Sequence, residues 1–226
     1  MKDVLLSWSS GKDSAWALHL LSQRSDLRVA ALFTTFNQAA DRVAMHGVAR
    51  SLVQKQAQRA RLPLWEVELP WPCSNADYEE ITGAVIKRAV DAGISCVAFG
   101  DLFLQDIRDY RERQLAGSGL EILFPVWGIP TEQLARDIIA GGVKAKLTCV
   151  DPARLDMTFA GRDFDLPLLE SLPAGTDPCG ENGEFHTFVY DAPVFSSAID
   201  IAPGIVVERD GFVFADFSET QVPQVA

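Results

Sequence analysis

Val4-Leu5-Leu6-Ser7-Trp8-Ser9-Ser10-Gly11-Lys12-Asp13-Ser14 decides how this chain is read. An apolar run, the pattern of a first strand, stops at small hydroxyl and glycine residues. It then gives way to a helix pattern from about Asp13 to Gln23. Small residues at Ser9, Ser10 and Gly11 let the main chain approach a phosphate and present several N–H donors, and the following helix N-terminus favours an anion. Ser7, Ser9 and Ser14 supply hydroxyls, Lys12 a positive charge, and Asp13 either a magnesium ligand or a helix cap. The spacing is not Gly-x-x-x-x-Gly-Lys-Ser/Thr, so a nucleotide held here is expected to be cleaved at a bond other than the terminal one. The plain alternative is a Ser-Gly turn before an Asp-capped helix.

Working outward, strand and helix patterns alternate. Leu27–Thr34 is almost continuously apolar, as suits a parallel strand covered on both faces. Ala44–Arg61 has helical recurrence through Val48, Leu52, Ala57 and Ala60, and Leu64–Val67 is a short strand. A helix through Tyr78, Ile81, Val85 and Ala89 leads to a strand at Ser95–Phe99, and helices follow at Arg108–Ala116 and Thr131–Ala140. Lys144–Val150 reads as the last strand of this alternating part. The pattern predicts an open, mostly parallel α/β sheet flanked by helices. Beyond about Cys149 the rhythm changes. Pro173, Gly175, Pro178 and Gly180 mark an irregular connection, Phe185–Tyr190 alternates like a strand, and Asp210-Gly211 between two apolar runs signals a hairpin. A smaller C-terminal α+β lobe is expected, with residues 1–128 as the nucleotide-binding domain and 129–226 as the substrate-binding lobe.

Composition sets bounds. The chain has 226 residues and is 48% hydrophobic, enough for a substantial core. Its net charge of −11 disfavours nonspecific nucleic-acid binding. The apolar run after Lys2 is far too short for a signal core or a membrane span. Four scattered cysteines (Cys73, Cys96, Cys149 and Cys179) make no Cys-x-x-Cys pair, which favours reduced thiols in the cytoplasm.

Ser9-Ser10-Gly11-Lys12-Asp13-Ser14 resembles the Ser-Gly-Gly-Lys-Asp-Ser loop of N-type ATP pyrophosphatases, with Ser10 in place of a glycine. Gly180-Glu181-Asn182-Gly183-Glu184-Phe185-His186-Thr187 is similar to the Gly-Glu-Gly-Gly-Glu-Phe/Tyr-Glu-Thr segment of the diphthine–ammonia ligase family, with Asn182 for glycine and His186 for the usual acid. Asp109-Tyr110-Arg111-Glu112-Arg113 resembles that family's Asp-Tyr-Gln-Arg-x-Arg region, and Leu123-Phe124-Pro125-Val126-Trp127 its Leu-x-Pro-Leu-Trp segment. The resemblance runs from the first strand to about Phe195.

It implies a HUP-type fold and ATP cleavage between the α and β phosphates, with magnesium as cofactor. A substrate carboxylate becomes an acyl adenylate, and ammonia or an amine displaces AMP to give an amide. Lys12, Asp13, Glu181 and Glu184 are then the expected catalytic residues. Ser7, Ser9, Ser10, Gly11, Lys12, Asp13, Ser14, Thr34, His46, Gly100 and Asp101 would hold the nucleotide, with Asp13 as the magnesium ligand. Arg108, Arg111, Glu181, Gly183, Glu184 and His186 would hold the substrate.

Each of these has a plainer reading. His46 begins the second helix pattern and faces the nucleotide or caps the helix. Asp101 orients magnesium or ribose, or closes a turn. Arg108, Arg111 and Arg113 contact phosphate or carboxylate, or sit on a solvated helix. Glu184 and His186 share one face of an extended segment, or the acids belong to a polar turn bonded to Arg111 or Arg113. Cys179 has no activating base beside it. Replacing Lys12 by alanine is expected to weaken adenylation more than folding. An adenylation-dependent RNA thiolation enzyme and an ATP- or AMP-binding regulatory protein are the alternatives; the acidic balance and the lack of Cys-x-x-Cys count against the first. A homodimer stays open.

Overall fold

The computed structural model describes residues 1–220; the last six residues of the expected C-terminal lobe lie outside them. Its first sheet is built from β1 (Lys2–Ser7), β2 (Leu27–Asn37), β4 (Leu64–Leu69), β5 (Cys96–Ala98) and β6 (Glu121–Leu123), with the short β3 (Arg42–Val43) added antiparallel. The parallel strands lie in the order β4-β2-β1-β5-β6. Helices α1 (Lys12–Ser22), α2 (Arg50–Ala60), α3 (Asn75–Asp91) and α4 (Gln105–Leu115) make the crossovers. Leu5, Leu6, Ala31, Leu32 and Val97 are buried, which is why these runs are apolar without alternation. α3 opens on a reciprocal cap: the Ser74 hydroxyl accepts from Asp77 N and the Asp77 carboxylate accepts from Ser74 N.

The order reverses at β1, whose successor β2 lies on one side and β5 on the other. In such a sheet a crevice opens at the carboxyl ends of the two strands that flank the reversal. Here those ends are the Ser7–Gly11 loop and Gly100-Asp101.

β2 is longer than the sequence pattern predicts. Past Phe33, where β1 stops pairing, its Thr34–Asn37 end keeps β4 on one edge. β3 pairs with Phe36 and Asn37 on the edge that β1 has left. This hairpin swings residues 44–47 back over the end of β1. The expected helix from Ala44 is therefore corrected: α2 starts at Arg50, after a turn in which Met45 and Gly47 have φ of 65° and 68°, conformations no helix tolerates.

A second, antiparallel sheet has the order β8-β7-β10-β9, from β7 (Lys144–Val150), β8 (Phe185–Asp191), β9 (Ile201–Arg209) and β10 (Phe212–Glu219). β7 belongs to this sheet, not to the parallel one as its sequence position suggests. The reason is pairing: β7 is bonded to β8 on one side and β10 on the other. The β9–β10 turn is the one expected, with φ of 53° at Asp210 and 83° at Gly211. α5 (Thr131–Ala140), a single 3-10 turn (Met157–Phe159) and α6 (Leu166–Ser171) complete the fold. One hydrophobic cluster runs through both sheets, from Leu6 and Trp8 to Phe185 and Phe188. No helix among the described residues is long and apolar enough to cross a membrane.

Candidate functional site

Two loops meet at the crevice, one after β1 and one before β8. In the first, Ser10 takes φ 71°, the left-handed conformation that glycine adopts most easily. It is held there from behind. Ser10 O accepts from Val189 N (3.0 Å) and from Gln56 Nε2 (3.0 Å). Gln56 is fully buried, also donates to Val189 O, and accepts from Trp8 Nε1 at 2.8 Å. Gly11 follows as the N-cap of α1 without any side-chain cap. A Cβ on Gly11 would stand 3.2 Å from Thr187 O and Oγ1, and one on Gly100 would stand 3.1 Å from Asp13 C and Ser14 N. The absent side chains thus allow β8 and the β5 end to close on the start of α1. Lys12 N donates a hydrogen bond to Thr187 Oγ1 at 3.1 Å.

Lys12 is 2% exposed. Its ammonium donates to Cys179 O and to Asp13 Oδ2 (2.9 Å), and lies over the rings of Phe164 and Phe185. Burial opposes its charge, but Asp13 and the acids behind it hold the ammonium above the ordinary lysine range. Burial raises Asp13, with Lys12 pulling the other way. An alanine replacement that spares folding presumes an exposed loop lysine; Lys12 is instead a buried, bonded group, so its loss is expected to disturb the fold as well as the site.

The crevice has two joined compartments. The polar one, about 230 Å³, is lined by Ser9, Lys12, Asp13, Ser14, Gly100 and Thr187. The larger, about 450 Å³, runs between the sheet and helices α3 and α4 over Leu5, Phe33, Val85, Ile86, Val97 and Ile107. Ser7, Ser9, His46, Phe99, Asp101, Arg111, Glu181 and His186 border both. Six buried side-chain atoms lack a hydrogen-bond partner among the described residues, and four of them belong to residues of this border and floor: Asp13 Oδ1, His46 Nδ1, Asp101 Oδ2 and Arg111 Nε. Buried polar atoms are costly to leave unpaired. Their concentration at one crevice makes it the candidate ligand site.

The family described as the diphthamide synthase C-terminal domain matches residues 130–216. Diphthine–ammonia ligase of Homo sapiens is 30% identical over 145 residues, covering 62% of this chain and 53% of that protein. The Schizosaccharomyces pombe enzyme of the same name is 27% identical over 147 residues, 62% of this chain and 24% of its own length. The chain is thus similar to diphthine–ammonia ligase-type proteins, and spans about half or less of the length of these two. The U34-tRNA thiolase NcsA of Methanococcus maripaludis is similar over 62% of this chain and 57% of its own, at 15% identity and a TM-score of 0.39.

Within the crevice the expected residues divide. Ser7, Ser9, Lys12, Asp13, Ser14, His46, Gly100, Asp101, Arg111, Glu181 and His186 come together. Ser9 and Ser14 hydroxyls are 3.3 Å apart, and Ser14 donates to Gly11 O. Asp13 does not cap α1; it pairs with Lys12. Asp101 makes a long ion pair with Arg111 at 3.5 Å without a hydrogen bond, and burial raises its carboxyl against the pull of Arg111. Burial pushes Glu181 up to about 7, while Oε1 accepts from Leu102 N. His46 lies in the turn before α2, not at the helix start, and its ring packs against His186 at a tilt of 38° with centroids 4.5 Å apart. Burial keeps both imidazoles neutral: His46 is far below its ordinary value, with His186 adding to the effect, and His186 falls to about 4.

Other expected residues lie outside the crevice. Thr34 is buried and donates to Trp8 O, so its neighbour Thr35 is the one that lines the larger compartment. Arg108 is on the outer face of α4, bonded to Glu112 and resting on Phe124 and Trp127. Ser10 turns away behind the loop. Glu184 does not share a face with His186, because β8 begins only at Phe185. Its carboxylate accepts from Asp177 N and Asn182 N, both 3.0 Å, and braces the turn. Gly183 at φ 87° serves that turn and meets no neighbour. The turn is bonded to its own backbone rather than to Arg111 or Arg113. Cys179 is buried and its thiol is pushed up to about 12, the state of an inert structural thiol.

Thr187 and Gln56 escaped the sequence reading. Gln56 had a signal, since it lies four residues after Leu52 on the apolar stripe of α2, where a polar residue must find buried partners.

Proposed function

We propose that this chain is an ATP-dependent, AMP-forming ligase that joins a substrate carboxylate to ammonia or an amine. What supports it most directly is the start of α1, where Gly11 supplies no side-chain cap, beside the buried Lys12 ammonium, with the unpartnered Asp13 oxygen on the same compartment floor. Together they offer backbone donors, one fixed positive charge and one metal-ligating oxygen to a pyrophosphate. Asp13 Oδ1, with Asp101 beside it, would hold magnesium, which when bound there would offset phosphate charge.

In the reaction, a carboxylate oxygen attacks the α phosphorus, and the bond to the oxygen bridging α and β breaks. Pyrophosphate leaves against Lys12 and the α1 amides. The amine nitrogen then attacks the acyl carbon, AMP departs with the electron pair, and the surplus proton goes to Glu181, whose raised value suits it to receive one near neutrality. Residues 1–128 form the nucleotide-binding part in this reading, and 129–226 the lobe that supplies Glu181, His186 and Thr187. Four free cysteines suit work in the cytoplasm. Sulfur transfer fits less well, because Cys149 and Cys179 thiols are both pushed up to about 12.

Product analysis and pyrophosphate–ATP exchange test this. AMP with pyrophosphate, and exchange that requires a carboxylate, are the expected results. ADP with inorganic phosphate would sink the proposal.

A further inference from the structure

The crevice has two places for an anion, and the second is not needed by a triphosphate. Lys12 and the start of α1 serve the polar compartment alone, whereas Arg111 borders both compartments. Its guanidinium is half-held. It lies 4.7 Å over the Phe99 ring, its Nη1 reaches Tyr78 Oη only at 3.5 Å, and Asp101 Oδ2 makes a long ion pair with Nε at 3.5 Å. That pair is not a hydrogen bond, so the buried Nε keeps its donor free. A planar fork of N–H donors, fixed on an aromatic face and only partly satisfied, matches a carboxylate in two-pronged geometry.

Beyond Arg111 the larger compartment is walled by aliphatic carbon from Leu5, Val85, Ile86, Val97, Ile107 and Leu115. The polar groups at its far end are turned on one another. Thr82 Oγ1 donates to Tyr78 O, and Gln114 Nε2 donates to Thr82 Oγ1 and Tyr110 Oη. Such a wall offers contact area and few free hydrogen bonds, which rejects a strongly polar body.

From this juxtaposition, and resting on the ligase reading above, we infer that the acyl substrate is a small monocarboxylic acid with an apolar body. Its carboxylate sits against Arg111, facing the polar compartment, and its body fills the chamber under α3 and α4. The nucleoside then stays at the rim, along Ser7–Ser9, Thr35 and His46. A second carboxylate on the body of the acid would find no further cation in the chamber, whose bordering acids are Asp101 and Glu181, so dicarboxylates are excluded.

The test is direct binding, measured by titration calorimetry on the full chain with a non-hydrolysable ATP analogue present. Probes are hexanoate and 3-phenylpropionate, against succinate and glutamate. The two apolar acids are expected to bind at least 10-fold more tightly than the two polar ones. Arg111→Gln is expected to weaken hexanoate about 30-fold, the scale of a lost charge-assisted pair, with affinity for the ATP analogue unchanged. Ile107→Trp, which fills the chamber from a partly exposed helix position, is expected to do the same; Val85→Phe fills it from the other helix should the first variant misfold. Failure of both apolar acids to bind, or equal binding of succinate, overturns the inference. So does loss of the ATP analogue in the chamber-filling variants, since the nucleoside would then occupy the chamber. The ligase reading fails separately, on ADP formation, and stands if exchange is driven by a polar acid.

Discussion

The loop after β1 and the loop before β8 are similar in sequence character, both short, glycine-bearing and charged, yet they treat their polar atoms in opposite ways. The second loop spends nearly all of them on itself. Asp177 accepts from Cys179 N and Glu181 N, and Glu184 accepts from Asp177 N and Asn182 N. The first loop is pinned through Ser10 O and through Lys12 N on Thr187, and still leaves polar groups to spare: Gly11 gives no side-chain cap, and Asp13 Oδ1 has no partner. A loop that spends its polar atoms on itself is architecture, and one that keeps some in reserve is the candidate site. Glu181 is the member of the second loop that crosses over, reaching Leu102 N and the crevice.

The comparison breaks most visibly at the glycines of the bracing loop. Gly180 has φ 71°, and a Cβ there would meet Phe185 O at 2.7 Å. Gly180→Ala is therefore expected to cost about 4 kcal/mol in denaturant unfolding, from left-handed strain and a backbone collision together. Near-native stability of that variant would show that the loop is not braced as described.

Lys12 is where bracing and chemistry coincide. Lys12→Met leaves Asp13 buried without its cation and is expected to cost about 3 kcal/mol, with loss of pyrophosphate–ATP exchange. Adding Asp13→Asn removes the stranded charge, so stability should largely return while exchange does not. Recovery of both would deny Lys12 and Asp13 a part in turnover.

A smaller effect is read in pH. The native Glu181 carboxyl is raised from 4.5 to about 7, so between those values the native state holds a proton that the unfolded chain has released. Stability then falls as pH rises from about 4.5 to about 7 and is level above. Glu181→Gln should flatten that slope in denaturation midpoints. In wild type, amide formation should rise with pH through about 7, and the variant should lose both the rise and about 100-fold in rate. An unchanged profile would remove Glu181 as the proton acceptor. Least of all, Gly183→Ala, at φ 87° with nothing within 4 Å, should cost about 1 kcal/mol of unfolding free energy. A loss as large as that at Gly180 would mean that hidden contacts crowd this turn.

Much of this was legible in the chain. Continuous apolar runs in β1 and β2, the Asp210-Gly211 hairpin and the Ser9–Ser14 loop all came from local pattern, because period and turn chemistry are properties of neighbouring residues. His46 was misplaced since the β2–β3 hairpin that breaks the helix pattern is made by β2 outrunning β1, a pairing between distant segments. Glu184 and Thr34 have the residue types of a site, but their hydrogen bonds are spent elsewhere.

Local pattern is enough to show that a strand ends in a small-residue loop at the start of a helix, that strands and helices then alternate, and that a second charged loop precedes a late strand. These follow from side-chain size, periodicity and backbone preference. It takes the packed chain to show that β7 joins the antiparallel sheet, that Lys12 is buried between Asp13 and Cys179 O, and that Arg111 rather than Arg108 faces the crevice. Those outcomes depend on which donors and acceptors remain unpaired after packing, and no stretch of chain carries that information alone.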